Sequence, residues 1–262
     1  DARSIAATAA HGGILTAATE VPYTVEKRPY HYNGAIYQKR CYNGFGKAKP
    51  EEELIMGPNI TDWPAIEPLK DDLLIQLAAV IRDPVTTTDE LIPSGETSSY
   101  RSNPLRLAEF ALSRREPAYV KRAKAAAHVK AADMGYDPEK TSVGSAIFAN
   151  KPGDGSAREQ AASCQRVLGG AANLCLDYAT KRYRSNCINW GMIPFTVDAF
   201  PYEVGDWLYV PGIRKALQEG AETITGYVNG EPLQLYMKGL TKDEIQILLD
   251  GCLMNYYKNN RR

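Results

Sequence analysis

With 262 residues, 44% of them hydrophobic, the chain is long enough to bury a sizeable core as one large domain or two small ones. Its 31 lysines and arginines are balanced by 31 aspartates and glutamates, which argues against a dedicated nucleic-acid or membrane-surface binder. No apolar run is long enough to span a bilayer and no charged n-region with an apolar h-region opens the chain, so a soluble, cytoplasmic protein is expected.

The chain begins without methionine on ARSIAATAA, which reads as a helix broken at Gly12 and Gly13, and this start looks truncated. Residues 20–80 read as a connector, with Tyr23, Tyr30, Tyr32, Tyr37 and Tyr42 spread among prolines, lysines and glycines. Such tyrosines pack a long connector against its neighbours or stack on nucleic acid. From Asp71 the run LLIQLAAVI is continuously apolar, and it leads into TTTDELIP and the stretch around Arg101. Pro104 with Leu105, Leu107, Phe110 and Leu112 predicts a helix ending near Arg115. A second, alanine-rich helix is expected from Pro117 through His128 to Met134, its basic side a solvated surface rather than an RNA site.

The most informative stretch is Thr141 to Phe195. A strand over Val143 to Phe148 empties into KPGDGSAREQAA, where Gly153 and Gly155 allow a sharp turn before a helix that ends at the pair Gly169 and Gly170. Ser156 is thereby presented at a helix start. The unpaired amides and dipole at that end favour negative charge, so they suit a substrate carboxylate or a serine alkoxide, with Arg158 adding a fixed cation. The plainer reading is a capping box, since Ser156 and Glu159 also satisfy S-x-x-E. A Walker loop is excluded because Lys151 precedes the glycines instead of following them.

Ala172 to Leu176 reads as a further strand, and TKRYRSN as a loop or short helix carrying Lys181, Arg182 and Arg184. The tail predicts two strands around Asn229-Gly230 and a helix opened by a capping box at Thr241 and Glu244. Strand and helix patterns alternate from Asp71 to Phe195, so the expected class is α/β with a mostly parallel β core flanked by helices. The five cysteines, Cys41, Cys164, Cys175, Cys187 and Cys252, include no C-x-x-C pair and fit buried thiols in a reducing compartment.

The run GSAREQAA, then LGG, then SNCINWGMIPF resembles the C-terminal, swivelling domain of the aconitase and isopropylmalate dehydratase superfamily of iron–sulfur hydro-lyases. There a G-S-S-R-E-H-A loop follows a strand, a glycine pair ends the helix, and T-N leads to Q-G-L-L-P-L-x-F. A second landmark is the family's T-T-D-H-I, matched by Thr87 to Leu91, with an arginine twelve residues beyond the aspartate, matched by Arg101 after Asp89. Within the superfamily the chain looks most like the bacterial aconitase-like hydratases. The resemblance implies that residues 1–20 are the tail of a preceding aconitase α/β domain, 21–70 a connector and 71–262 the swivel domain. It also implies roles for individual residues. Ser156 is the catalytic base, Asp89 either steadies an arginine fork or serves the proton network, and Arg101, Arg158 and Arg3 grip substrate carboxylates.

The implied activity is hydration or dehydration of a hydroxy di- or tricarboxylic acid. The implied cofactor is a 4Fe-4S cluster, its cysteine ligands in upstream domains on the same chain or on a second subunit. Three departures, Glu90 and Gln160 for histidines and Ala157 for a serine, tell against citrate as substrate. The competing expectation is a non-catalytic module of the same fold that binds RNA.

Overall fold

The computed structural model describes residues 1–22, 28–41 and 43–260. Two compact units are formed, Asp1–Leu54 and Ile55–Arg262. In the first, helix α1 (Ala2–Ala10) is capped by Asp1, whose carboxylate accepts from the amides of Arg3 and Ser4. Gly12 and Gly13 then adopt positive φ and end it. A second helix, α2 (Ala35–Arg40), follows. Tyr30, Tyr32 and Tyr37 are exposed rather than packed, with Tyr32 and Tyr37 stacked at 6.0 Å, whereas Tyr23 and Tyr42 lie outside the described residues.

The second unit opens with β1 (Asp72–Ile81), β2 (Thr86–Thr87), α3 (Thr88–Leu91), α4 (Pro104–Ala108) and α5 (Tyr119–Ala127). It continues with β3 (Thr141–Ala149), β4 (Pro152–Asp154), α6 (Arg158–Val167), β5 (Gly170–Cys175), α7 (Lys181–Asn189) and β6 (Ile193–Thr196). The remainder is β7 (Trp207–Val210), α8 (Ile213–Gln218), β8 (Thr223–Val228), β9 (Glu231–Tyr236), α9 (Lys242–Asp250) and α10 (Leu253–Asn259). The helix expected to reach Arg115 stops at Ala108, and tight turns carry the chain past Leu112, which has a positive φ. The alanine-rich helix likewise breaks after Ala127, resuming only as a 3-10 turn at Ala131–Met134. As expected, Thr241 and Glu244 form a capping box on α9.

The expectation of a mostly parallel α/β core is wrong. Seven strands close into a mixed barrel in the order β1-β3-β5-β6-β9-β8-β7. The pairs β1–β3, β3–β5 and β5–β6 are parallel, but β6–β9, β9–β8, β8–β7 and β7–β1 are antiparallel. The alternating strand and helix pattern did describe the first four barrel strands. What it missed is that the tail is part of the same sheet: WLYV pairs with the first half of β1, and the hairpin bridges β7 back to β6.

The continuous apolar run of β1 follows from burial on both faces. Leu73, Ile75 and Leu77 join Phe148, Phe195, Leu208 and Leu235 in one core, while Ala79 and Ile81 join Ile147, Ala149, Ala161 and Tyr119 in a second. That second core packs the helical layer against the parallel half of the barrel, so the loops leaving β1, β3 and β5 meet at one rim.

Candidate active site

That rim is the carboxyl end of three parallel strands, the side on which open α/β sheets hold ligands. The loop leaving β1 carries Thr86 to Glu90, and the loop leaving β3 carries Gly153 to Arg158. They are joined by a two-stranded parallel sheet, with Thr86 opposite Pro152 and Thr87 opposite Asp154. The Thr86 amide donates to Lys151 O at 3.0 Å.

The two turn glycines are required by packing as well as by backbone. Gly155 has φ +129, and a Cβ there would overlap Thr88 Oγ1. Gly153 has φ +95, and a Cβ there would overlap the Cβ and ring of Tyr183. Tyr183 is itself fixed from within the core, its hydroxyl accepting from Gln165 Nε2 at 2.8 Å and from Asn173 Nδ2 at 3.3 Å.

The loop leaving β5 completes the arrangement through Thr180. Its hydroxyl caps α7 by accepting from the Tyr183 amide at 3.3 Å, donates to Gly153 O at 3.0 Å and accepts from Arg158 Nε at 3.2 Å. Arg158 is thus tethered at Nε, while its Nη groups have no partner among the described residues. Thr180 escaped the sequence reading, although a threonine immediately before a helix is a capping signal in its own right.

Ser156 is exposed, and its hydroxyl bonds no described residue. The capping-box reading of Ser156 and Glu159 is not realised. The N-cap of α6 is Ala157, which makes no side-chain cap, and Glu159 instead accepts from Trp190 Nε1 at 2.6 Å and Asn186 Nδ2 at 2.5 Å. The first-turn amides of α6 therefore lack a side-chain cap beside a free hydroxyl, which is the arrangement an anion would complete.

Asp89 sits in the first turn of α3, exposed, and pairs with Arg114 at 2.8 Å rather than with Arg101. Its other oxygen accepts from the Ser94 amide at 3.2 Å, and Arg114 also holds Glu96 at 2.7 Å. Glu90, which stands where the family carries histidine, closes a capping box with Thr87. Arg101 follows the 3-10 turn Ser98–Tyr100, its side chain exposed and without a bonding partner among the described residues. Arg3 lies in the first unit, paired with Asp1 at 2.8 Å. Of the five residues singled out in the sequence, then, Ser156, Arg158 and the segment bearing Asp89 are gathered by one set of loops, Arg101 is not bonded to them, and Arg3 belongs to the other unit.

The buried thiols of this chain do not fit an iron–sulfur cluster, and the fifth cysteine, Cys41, is exposed. Cys164, Cys175, Cys187 and Cys252 are buried, and burial pushes the thiols of Cys164 and Cys187 up to about 12 and that of Cys175 higher, away from the thiolate a metal needs. Among the described residues no three histidine, cysteine or acidic side chains gather to hold a metal. Nor, among them, is any helix long and apolar enough to cross a membrane.

No family model matches the chain, and no curated protein matches it. Among solved structures it is similar to 3-isopropylmalate dehydratase (LeuD) of Methanocaldococcus jannaschii, at 20% identity over 72% of this chain and 95% of that one, with a TM-score of 0.51. The likeness is one of fold, and at that level it agrees with the isopropylmalate dehydratase side of the resemblance read from GSAREQAA.

Proposed function

We propose that this chain supplies the proton-transfer and carboxylate-binding wall of a hydro-lyase, a hydratase or dehydratase acting on a hydroxy di- or tricarboxylic acid, of the kind found among bacterial aconitase-like hydratases. The observation that carries the reading is the exposed, unbonded Ser156 hydroxyl beside the α6 amide end that lacks a side-chain cap, in a loop seated on the Asp89 segment through Gly155 and Thr88. The fold likeness to 3-isopropylmalate dehydratase supports it.

In this reading Ser156 takes the proton α to a substrate carboxylate. A serine is a weak base unless its alkoxide is stabilised, and the α6 dipole and the Arg158 cation both lower that cost. Arg158, held at Nε by Thr180, offers its Nη groups to a carboxylate at a fixed angle. Asp89 keeps its part of the rim in place through Arg114 and Ser94. Arg101 would bind a distal carboxylate. A 4Fe-4S cluster would be held outside this chain's residues, by upstream domains or a second subunit.

The test is turnover of a hydroxy-acid substrate by the complete enzyme. Ser156→Ala should lower kcat by roughly a hundredfold to ten-thousandfold, the contribution of a positioned base, with KM little changed. Unchanged kcat would remove Ser156 from the mechanism.

A further inference from the structure

A second cleft lies at the amino ends of the same parallel strands. Thr141 and Ala149 bound β3, so this cleft is separated from the Ser156 rim by about 26 Å of strand at about 3.3 Å per residue. It encloses about 440 Å³ and is bounded by the starts of β1 and β3, the end of α6 and the end of α9. Its walls are mainly apolar, from Leu73, Val143, Ala171 and Leu248, and set among them is the guanidinium of Arg166.

Among the described residues Arg166 forms no ion pair with a carboxylate. Its Nη1 donates to Gly170 O at 2.9 Å and its Nη2 to Gly251 O at 3.4 Å, both neutral acceptors. Desolvation by the surrounding protein lowers its pKa to about 10, against a smaller opposing effect of the neighbouring Cys252. Thr141, on the same lining, is 3% exposed, and its Oγ1 has no hydrogen-bond partner among the described residues. Lys70 stands at the mouth, its Nζ donating to Pro138 O at 2.5 Å, and Lys130 adds a third cation to the lining. Glu67, an acid on that lining, is exposed and forms no ion pair with any of the three.

We propose that this cleft is a binding site for a small organic carboxylate with an apolar body, its carboxylate on Arg166 and its body against Leu73, Val143 and Leu248. A guanidinium carries five N–H donors in a planar fork, and the two backbone carbonyls leave donors for a carboxylate. The volume is within the range of small-molecule sites, about 300–1,000 Å³, and the combination of apolar walls with a few polar groups is the usual composition of one. The site is distinct from the Ser156 rim and does not depend on the reading proposed there.

Octanoate titrated into the full chain is the probe, followed by NMR of the Leu73, Val143 and Leu248 methyls and of Arg166 Nε, with 1-octanol and inorganic phosphate as comparisons. Saturable octanoate shifts on those groups are expected, weakened about tenfold or more in Arg166→Gln and less in Arg166→Lys, which keeps the charge but not the fork. Arg166→Lys keeps the test open where Arg166→Gln fails to fold. The proposal is overturned by absence of saturation in the wild-type chain, by unchanged affinity in the folded variants, by octanol or phosphate binding as tightly, or by shifts that map to Ser156 instead.

Discussion

Replacing Gly155 with alanine tests whether the Asp89 and Ser156 loops are packed as described. Two costs add at this position. The backbone φ of +129 is one that L side chains rarely adopt, a strain of about 1–3 kcal/mol. The new Cβ would also overlap the hydroxyl of Thr88, which is buried and has little room to give, and overpacking of that kind costs about 1–3 kcal/mol. The expected loss is therefore about 2–6 kcal/mol, a large part of the 5–15 kcal/mol that holds an ordinary domain.

Gly205→Ala separates the terms, because Gly205 has φ +99 with nothing within 4 Å of the added Cβ, so only strain remains. Adding Thr88→Ala to Gly155→Ala should restore part of the loss through a coupling of about 0.5–3 kcal/mol. Urea unfolding of five chains, the wild type, Gly155→Ala, Gly205→Ala, Thr88→Ala and the Gly155→Ala/Thr88→Ala double variant, measures all of this. A Gly155→Ala chain no less stable than Gly205→Ala, with no coupling to Thr88, would refute the packing of the two loops.

Three further outcomes are expected. Glu159→Ala should cost about 1.5–3 kcal/mol by stranding the Trp190 indole and the Asn186 amide, whereas Ser156→Ala should leave urea stability nearly unchanged because no cap is lost; a Ser156→Ala loss of about 1 kcal/mol would restore the capping reading. Asp206 is held below the usual carboxylate range by the Glu203 amide and then by Asn229 Nδ2, so its folded pKa lies under the unfolded one. The stabilisation is then present above pH about 4 and lost as pH falls through the lower folded value, and the advantage of the wild type over Asp206→Asn should shrink only there; an equal gap at acid and neutral pH would contradict it. Anaerobic reconstitution of this chain with iron and sulfide should yield no stoichiometric cluster absorbance, and the appearance of one would show that the buried thiols can be recruited.

The parallel half of the barrel was legible because its strands are local events. Val143 to Phe148, Ala172 to Leu176 and the run from Asp71 are apolar on both faces, and each is followed by a helix whose periodicity differs. Closure was not legible, because it depends on pairings such as Leu74 with Tyr209 and Thr196 with Tyr236, and the four-residue β7 carries too short an alternation to announce itself. The same limit explains the site. Glycine spacing exposed the Ser156 turn, but that Asp89 would turn to Arg114, and Arg158 to Thr180, is set by chain folding across 25 and 22 residues.

Two of the three departures from the resembled motif, Glu90 and Ala157, have structural explanations that bear on chemistry. Glu90 is spent in the capping box of α3, so it replaces a histidine with an anchor and not with a second acid or base. At Ala157 the consequence runs the other way. A serine at that N-cap position would accept from the first-turn amides of α6, an interaction worth about 1 kcal/mol, and alanine forgoes it. Glu159 does not fold back in its place, because it is held by Trp190 and Asn186. Stability has thus been given up at the helix end next to Ser156, and the amides left without a side-chain cap are those a substrate carboxylate or a serine alkoxide would need.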